Sequence, residues 1–166
     1  PEKMDRYVRT IYNKTMDMDK LINELTLYSK IDANKIPYNF NKINVAEYFD
    51  DCVSELKVEL ESRYIELGYL NYADKAAVII ADPEQLKRVI NNIISNSVKY
   101  MSTDRKGIIN IRISDADDFV QFEIEDNGKG IAQKDVQYIF DRFYRTDSSR
   151  NSAQGGSGIG LSIVKK

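Results

Sequence analysis

The sequence contains no histidine. Imidazole acid–base catalysis and histidine metal ligation are therefore excluded within this chain. Cys52 is the only cysteine, so no intrachain disulfide or cysteine-rich zinc site can form. It falls at an apolar helix position and reads as core, and a reducing cytoplasmic compartment fits. The chain has no apolar run of roughly 18 residues and does not open like a signal peptide. Net charge is −2, so there is no basic field to favour nucleic acid or an anionic membrane. What remains, 42% hydrophobic and 30% charged over 166 residues, suits one domain with a real core plus an appendage.

Residues 2–33 read as one long helix. Met4, Val8, Ile11, Thr15, Met18, Ile22 and Leu25 alternate spacings of four and three, a coiled-coil seam flanked by Tyr28 and Ile31. Such a seam predicts a partner helix or a second chain. Residues 34–43 read as a linker, with Pro37 stopping the helix and Ile36, Tyr38 and Phe40 extended. Asn44 is placed to cap a second helix, with Glu47 in capping-box position. Its buried face would run Phe49, Val53, Leu56, Leu60, Tyr64 and Leu67, with Gly68 ending it. A short strand over 69–72 and a buried strand over 76–81 follow.

Asp82-Pro83 opens a third helix, with Gln85 three residues after the cap. Leu86, Val89, Ile90, Ile93 and Val98 form its apolar side. Asn92, Asn96, Lys99 and Tyr100 recur at i, i+4, i+7 and i+8 and share a polar stripe. An amide oxygen is a hard ligand suited to Mg²⁺. An ammonium suits phosphate and an aromatic suits a base ring, although a solvated helix face is an equally good account of the stripe alone.

Ile109, Ile111 and Ile113, then Val120, Phe122 and Ile124, alternate with polar residues and predict an antiparallel hairpin turning at 115–118. The second strand runs into Asp126-Asn-Gly128-Lys-Gly130. There a carboxylate could accept from an exocyclic amine, and glycines admit a flat ring, but a plain turn explains the residues as well. A helix is predicted over 133–143 and a polar loop over 146–154. Gly156-Ser-Gly158-Ile-Gly160 opens a last helix whose N–H groups could bind anions. It matches neither the Walker loop nor the dinucleotide fingerprint.

The ordered set is more specific than any member. Asn92…Asn96-Ser-Val-Lys99-Tyr100, Asp126-Asn-Gly128-Lys-Gly130, Phe140-Asp-Arg-Phe143-Tyr-Arg145 and Gly156-Ser-Gly158-Ile-Gly160-Leu161 together resemble the ATP-binding domain of sensor histidine kinases of two-component signalling. Upstream, residues 25–35 resemble the end of the second dimerisation helix. The resemblance implies an α+β fold: a two-layer α/β sandwich of the Bergerat type, with a mixed sheet covered by helices on one face, preceded by the coiled-coil helix. It implies residues 1–33 as part of a dimerisation hairpin, 34–43 as linker and 44–166 as the ATP-binding domain.

The resemblance further implies ATP and Mg²⁺, with Asn96 holding the metal and Asn92 beside the triphosphate. Lys99 would meet phosphate oxygens, Tyr100 would line the adenine or ribose, and Asp126 would read the adenine amine. Gly128, Gly130 and Ile131 would lie against the nucleotide. Arg145 would approach the terminal phosphate, and Tyr144 would shield the base. Gly156, Gly158, Ile159, Gly160 and Leu161 would form the phosphate loop, with residues 146–155 as a lid.

In the wider superfamily with gyrase and Hsp90, the position of Asn92 is a water-activating Glu. An amide is no general base, so transfer is favoured over hydrolysis. The implied partners are a response-regulator receiver domain and a second copy through the N-terminal helix. Any membrane attachment would be through segments outside this sequence. Without a histidine the chain should not autophosphorylate. The family's final strand pair is expected beyond Lys166, leaving a sheet edge open. An ATP-sensing module without transfer and an anti-sigma-type serine kinase are the alternatives. The Phe140–Arg145 box and the seam helix favour the histidine kinase over the latter.

Overall fold

The computed structural model describes residues 2–33, 35–146 and 158–164. They fall into two compact units, Tyr38–Val136 and Pro1–Pro37 with Gln137–Lys166.

In the first unit, Asn44 caps helix α2 (Val45–Ser62), its side chain accepting from the Glu47 N–H at 3.0 Å. Just before it, strand β1 (Asn41–Asn44) pairs antiparallel with β3 (Val78–Ala81). Asp82 closes this ribbon onto helix α3 (Pro83–Lys99). Its Oδ1 accepts from the N–H groups of Glu84 and Gln85 at 3.0 and 3.1 Å, and its Oδ2 from Asn39 N–H at 2.8 Å. One carboxylate thus satisfies orphan helix donors and fixes the chain leading into β1.

Strands β2 (Ile65–Asn71), β4 (Gly107–Ala116) and β5 (Phe119–Asp126) form a second sheet in the order β2-β4-β5. It is mixed: β2 runs parallel to β4, and β5 is antiparallel to it. The period-two alternation of the hairpin sorts its faces. Ile109, Ile111 and Ile113 are buried with Val45, Phe49, Leu56 and Leu60 of α2 and Ile90 and Ile94 of α3, and Phe122 stacks on Phe49. Arg112 and Glu123 pair across the other, polar face at 3.3 Å. Two helices on one face of a mixed sheet give the two-layer architecture expected.

Several local expectations are corrected. The linker assigned to 34–43 includes the start of β1, because Asn41–Asn44 finds a pairing edge in β3. The second helix ends at Ser62, not Gly68. Tyr64 adopts φ 60° and is exposed, and turns the chain into β2, so Leu67 and Gly68 are strand residues. The strand expected as buried over 76–81 is half exposed, since Val78 and Ile80 point away from the core. On α3, Ile94 and Ser97 are buried while Val89 and Ile93 are only partly so, which turns the buried stripe from the one expected. The Gln85 side chain accepts from Arg88 instead of completing a capping box. Helix α4 covers only Gln133–Val136, and residues 137–143 form turns.

In the second unit, α1 (Glu2–Asp32) is a single helix of 31 residues. The whole seam, Met4 through Leu25, is exposed. Tyr28 and Ile31 are buried instead, against Ile159 and Ile163 of the segment leading into and forming helix α5 (Gly160–Val164). The Arg142 guanidinium lies 4.4 Å over the Tyr28 ring. Residues 137–146 and 158–164 fall in the same compact unit as α1. No described helix is long and apolar enough to cross a membrane.

Candidate functional site

Asn92, Asn96, Lys99 and Tyr100 are all half-buried along α3, as their helical spacing requires. Tyr100 is the C-cap, its N–H donating to the Asn96 carbonyl at 2.9 Å. The Lys99 ammonium lies 5.0 Å over the Tyr100 ring, so cation and aromatic stay side by side at the helix end, where a cation also complements the helix dipole.

The Asp126 turn is bound to this helix end by several hydrogen bonds. Ser97 Oγ donates to Asp126 Oδ2 at 2.9 Å, and Lys129 N–H donates to the Tyr100 carbonyl at 3.0 Å. Gly128 N–H donates to Asp126 Oδ1 at 2.9 Å. Arg105 reaches the Gly128 carbonyl at 3.0 Å. Asn127 fastens the turn to β4: its Oδ1 accepts from Ile108 N–H, and its Nδ2 donates to the Lys106 carbonyl, both at 2.9 Å. A Cβ at Gly128 would lie 2.8 Å from the Tyr100 carbonyl oxygen and 2.7 Å from Asp126 Oδ1, so only glycine permits this approach. Asp126, Gly130 and Ile131 remain exposed and Gly128 half-buried, so the carboxylate has a bound inner side and an open outer side.

The other expected residues lie in the second unit. Tyr144 and Arg145 are half-buried, and the Tyr144 ring tilts against Tyr138 at 5.4 Å. Phe143 takes φ 59°, unusual for a bulky residue, and its N–H donates to the Gly158 carbonyl at 3.0 Å. Gly158 has φ 71°, and a Cβ there would lie 2.9 Å from the Phe143 backbone. Ile159 is buried in a cluster with Tyr28, Ile31 and Ile163. Gly160 and Leu161 begin α5 and are half-buried. Gly156 and residues 147–155 of the expected lid lie outside the described residues.

The structure thus brings Asn92, Asn96, Lys99, Tyr100, Asp126 and Gly128 together in one unit, and Tyr144, Arg145 and Gly158 in the other. Sequence reasoning missed Ser97, Arg105 and Asn127, whose roles depend on contacts far along the chain. An open depression on α3 is lined by Glu84, Lys87, Arg88, Asn91 and Asn92; it shares only Asn92 with the expected set.

Among the described residues, no cluster of acidic or cysteine side chains is placed to hold a metal. The donor set still fits Mg²⁺ bound with a triphosphate, since that ion takes few protein ligands and completes its octahedron with phosphate oxygens and water. One amide oxygen on the polar stripe of α3 is compatible with that.

A rigid helix end carrying amides, an amine and an aromatic, latched to a carboxylate turn, is the layout of a nucleotide-binding α/β domain. The family described as histidine kinase-, DNA gyrase B-, and HSP90-like ATPase matches residues 81–166. The sensor histidine kinase WalK of Bacillus subtilis (strain 168) is 30% identical over 161 residues, covering 97% of this chain and 26% of its own length. The full-length structure of ShkA in complex with AMPPNP superposes with a TM-score of 0.72 at 23% identity, over 88% of this chain and 29% of that one. The histidine kinase ThkA in complex with the response regulator protein TrrA gives 0.71 at 21% identity, over 88% of this chain and 42% of that one. The chain belongs to the histidine kinase-, DNA gyrase B-, and HSP90-like ATPase family and carries an ATP-binding domain of the sensor histidine kinase type. It spans about a quarter or less of the length of the first curated relatives it matches.

Proposed function

We propose that this chain is the ATP-binding catalytic part of a sensor histidine kinase. It moves the γ-phosphoryl group of ATP to a histidine outside residues 1–166, for relay to a response-regulator aspartate. The observation that carries the reading is the latch between the end of α3 and the Asp126 turn, which holds a hydrogen-bond acceptor for a base beside amides and a cation suited to phosphates.

In this reading Asp126 accepts from the adenine amine, with Gly128, Gly130 and Ile131 beneath the ring and Tyr100 beside it. Asn96 offers its amide oxygen to Mg²⁺, and Asn92 lies next to the triphosphate. Bound Mg²⁺ neutralises charge on the phosphate oxygens. Lys99 stabilises charge on the transferring group, which is where phosphoryl transfer gains most; Arg145 and Tyr144, in the second unit, are a cation and an aromatic of the kind a nucleotide engages. Gly158, Gly160 and Leu161, in the second unit, offer backbone N–H groups suited to an anion. Asn92 cannot deprotonate water, so the acceptor must be a positioned nucleophile. Helix α1 is the second helix of a dimerisation hairpin, its exposed seam closed by a second copy. This part of the protein works in the cytoplasm.

The test is transfer in trans. The chain is mixed with Mg-ATP labelled at the γ position and a separate helix carrying the acceptor histidine. Label on that histidine is the expected result. ATP binding without transfer would instead support a sensing module. In parallel, Asn96→Ala should weaken Mg-ATP on the order of tenfold, about 1.4 kcal/mol, and metal-free ATP much less. Equal losses would remove Asn96 as a metal ligand.

A further inference from the structure

Ser97 lies one residue beyond Asn96 on α3 and is buried. Exposed hydroxyls elsewhere in the helices of this chain bond back to their own turn: Thr10 to the Arg6 carbonyl, Thr15 to Ile11 and Ser54 to Asp50. Ser97 instead sends its single proton 29 residues along the chain, to Asp126 Oδ2 at 2.9 Å. An ionised carboxylate only accepts, so Ser97 is fixed as the donor. The other oxygen, Oδ1, is held by Gly128 N–H.

The last torsion of an aspartate is soft, and an exposed carboxylate at a strand end would rotate through a broad range. Two donors from different elements, one on each oxygen, fix the carboxylate plane. Each oxygen keeps a further lone pair. We propose that Ser97 is a positioning and specificity-determining residue: it sets the plane of the Asp126 carboxylate so that a remaining lone pair meets the 6-amino group of a purine. This rests on the reading of Asp126 as the base acceptor. Without Ser97 the carboxylate would still be present, but its orientation would have to be fixed on binding, at the expense of affinity.

The experiment compares ATP with purine riboside triphosphate, which lacks the 6-amino group, by titration calorimetry on the full chain. The affinity ratio of the two ligands is read because a change in folded fraction leaves it unaltered. Ser97→Ala should cost ATP about tenfold while changing the deaminated analogue less than about twofold, as expected for a lost bond to a charged group. Ser97→Thr keeps the donor and should keep the ratio. An unchanged ratio in Ser97→Ala, or a ratio lost equally in Ser97→Thr, overturns the proposal. Asp126→Ala separates the two levels. If it abolishes the preference while Ser97→Ala does not, Asp126 reads the base without help. If Asp126→Ala also leaves the preference intact, the base reading itself is wrong, and the Ser97 proposal falls with it.

Discussion

Asp82 shows how much one side chain can hold. The N–H groups of Asn39, Gln85 and Glu84 converge on its carboxylate and lower its pKa from the usual value near 3.8. A folded pKa below the unfolded one stabilises the fold above the unfolded value, and that stabilisation disappears as pH falls through the folded value. Asp82→Asn, which keeps the cap but not the charge, should therefore melt lower than the parent at about pH 7, and the gap should close below pH 3.8. A gap that persists unchanged into strong acid would contradict this. Cys52 is buried, and burial pushes its thiol up from the ordinary value. It should resist alkylation in the folded chain and react only on unfolding; fast labelling under native conditions would count against that packing. Gly128→Ala forces a Cβ onto the Tyr100 carbonyl and Asp126. A loss of roughly 1–3 kcal/mol in thermal stability, with weaker ATP binding, is the expected result.

At the scale of the element, α1 carries two apolar surfaces. Met4 through Leu25 form one continuous exposed stripe, while Tyr28 and Ile31 face Ile159 and Ile163. Heptad periodicity distinguished them only as seam and flank, because a repeat in sequence says that a face is apolar and not which neighbour covers it. If the stripe closes against a second copy, Ile22→Asp should lower association in sedimentation experiments without shifting the melting of residues 38–136. Unchanged association would point to another cover for the seam. The hairpin β4–β5 was legible because strict alternation has one structural solution. The length of α2 was not, since Tyr64 makes the turn with a backbone conformation that its residue type does not announce. Helix α4 was overestimated for a related reason: Val136, Ile139 and Phe143 have helical spacing, yet turns follow Val136.

For the whole molecule, the core of residues 38–136 lies between two helices and one face of the β2-β4-β5 sheet. Ile111, at its centre, is almost fully buried. Ile111→Ala should cost about 2–5 kcal/mol in unfolding experiments, and a value near zero would mean the core is not packed as described. The polar stripe of α3 and the glycine turn after β5 were legible because their spacing is local. Ser97, Arg105 and Asn127 were not, because each acts on a partner that folding alone brings close.

On the proposed function, the end of α3 and the Asp126 turn form one binding surface for magnesium-bound ATP. Amide hydrogen exchange of the full chain, with and without saturating Mg²⁺ and a non-hydrolysable ATP analogue, tests it most directly. Slowed exchange over 92–100 and 126–131 together is the expected result. Binding of the analogue with exchange in both segments unchanged would contradict it.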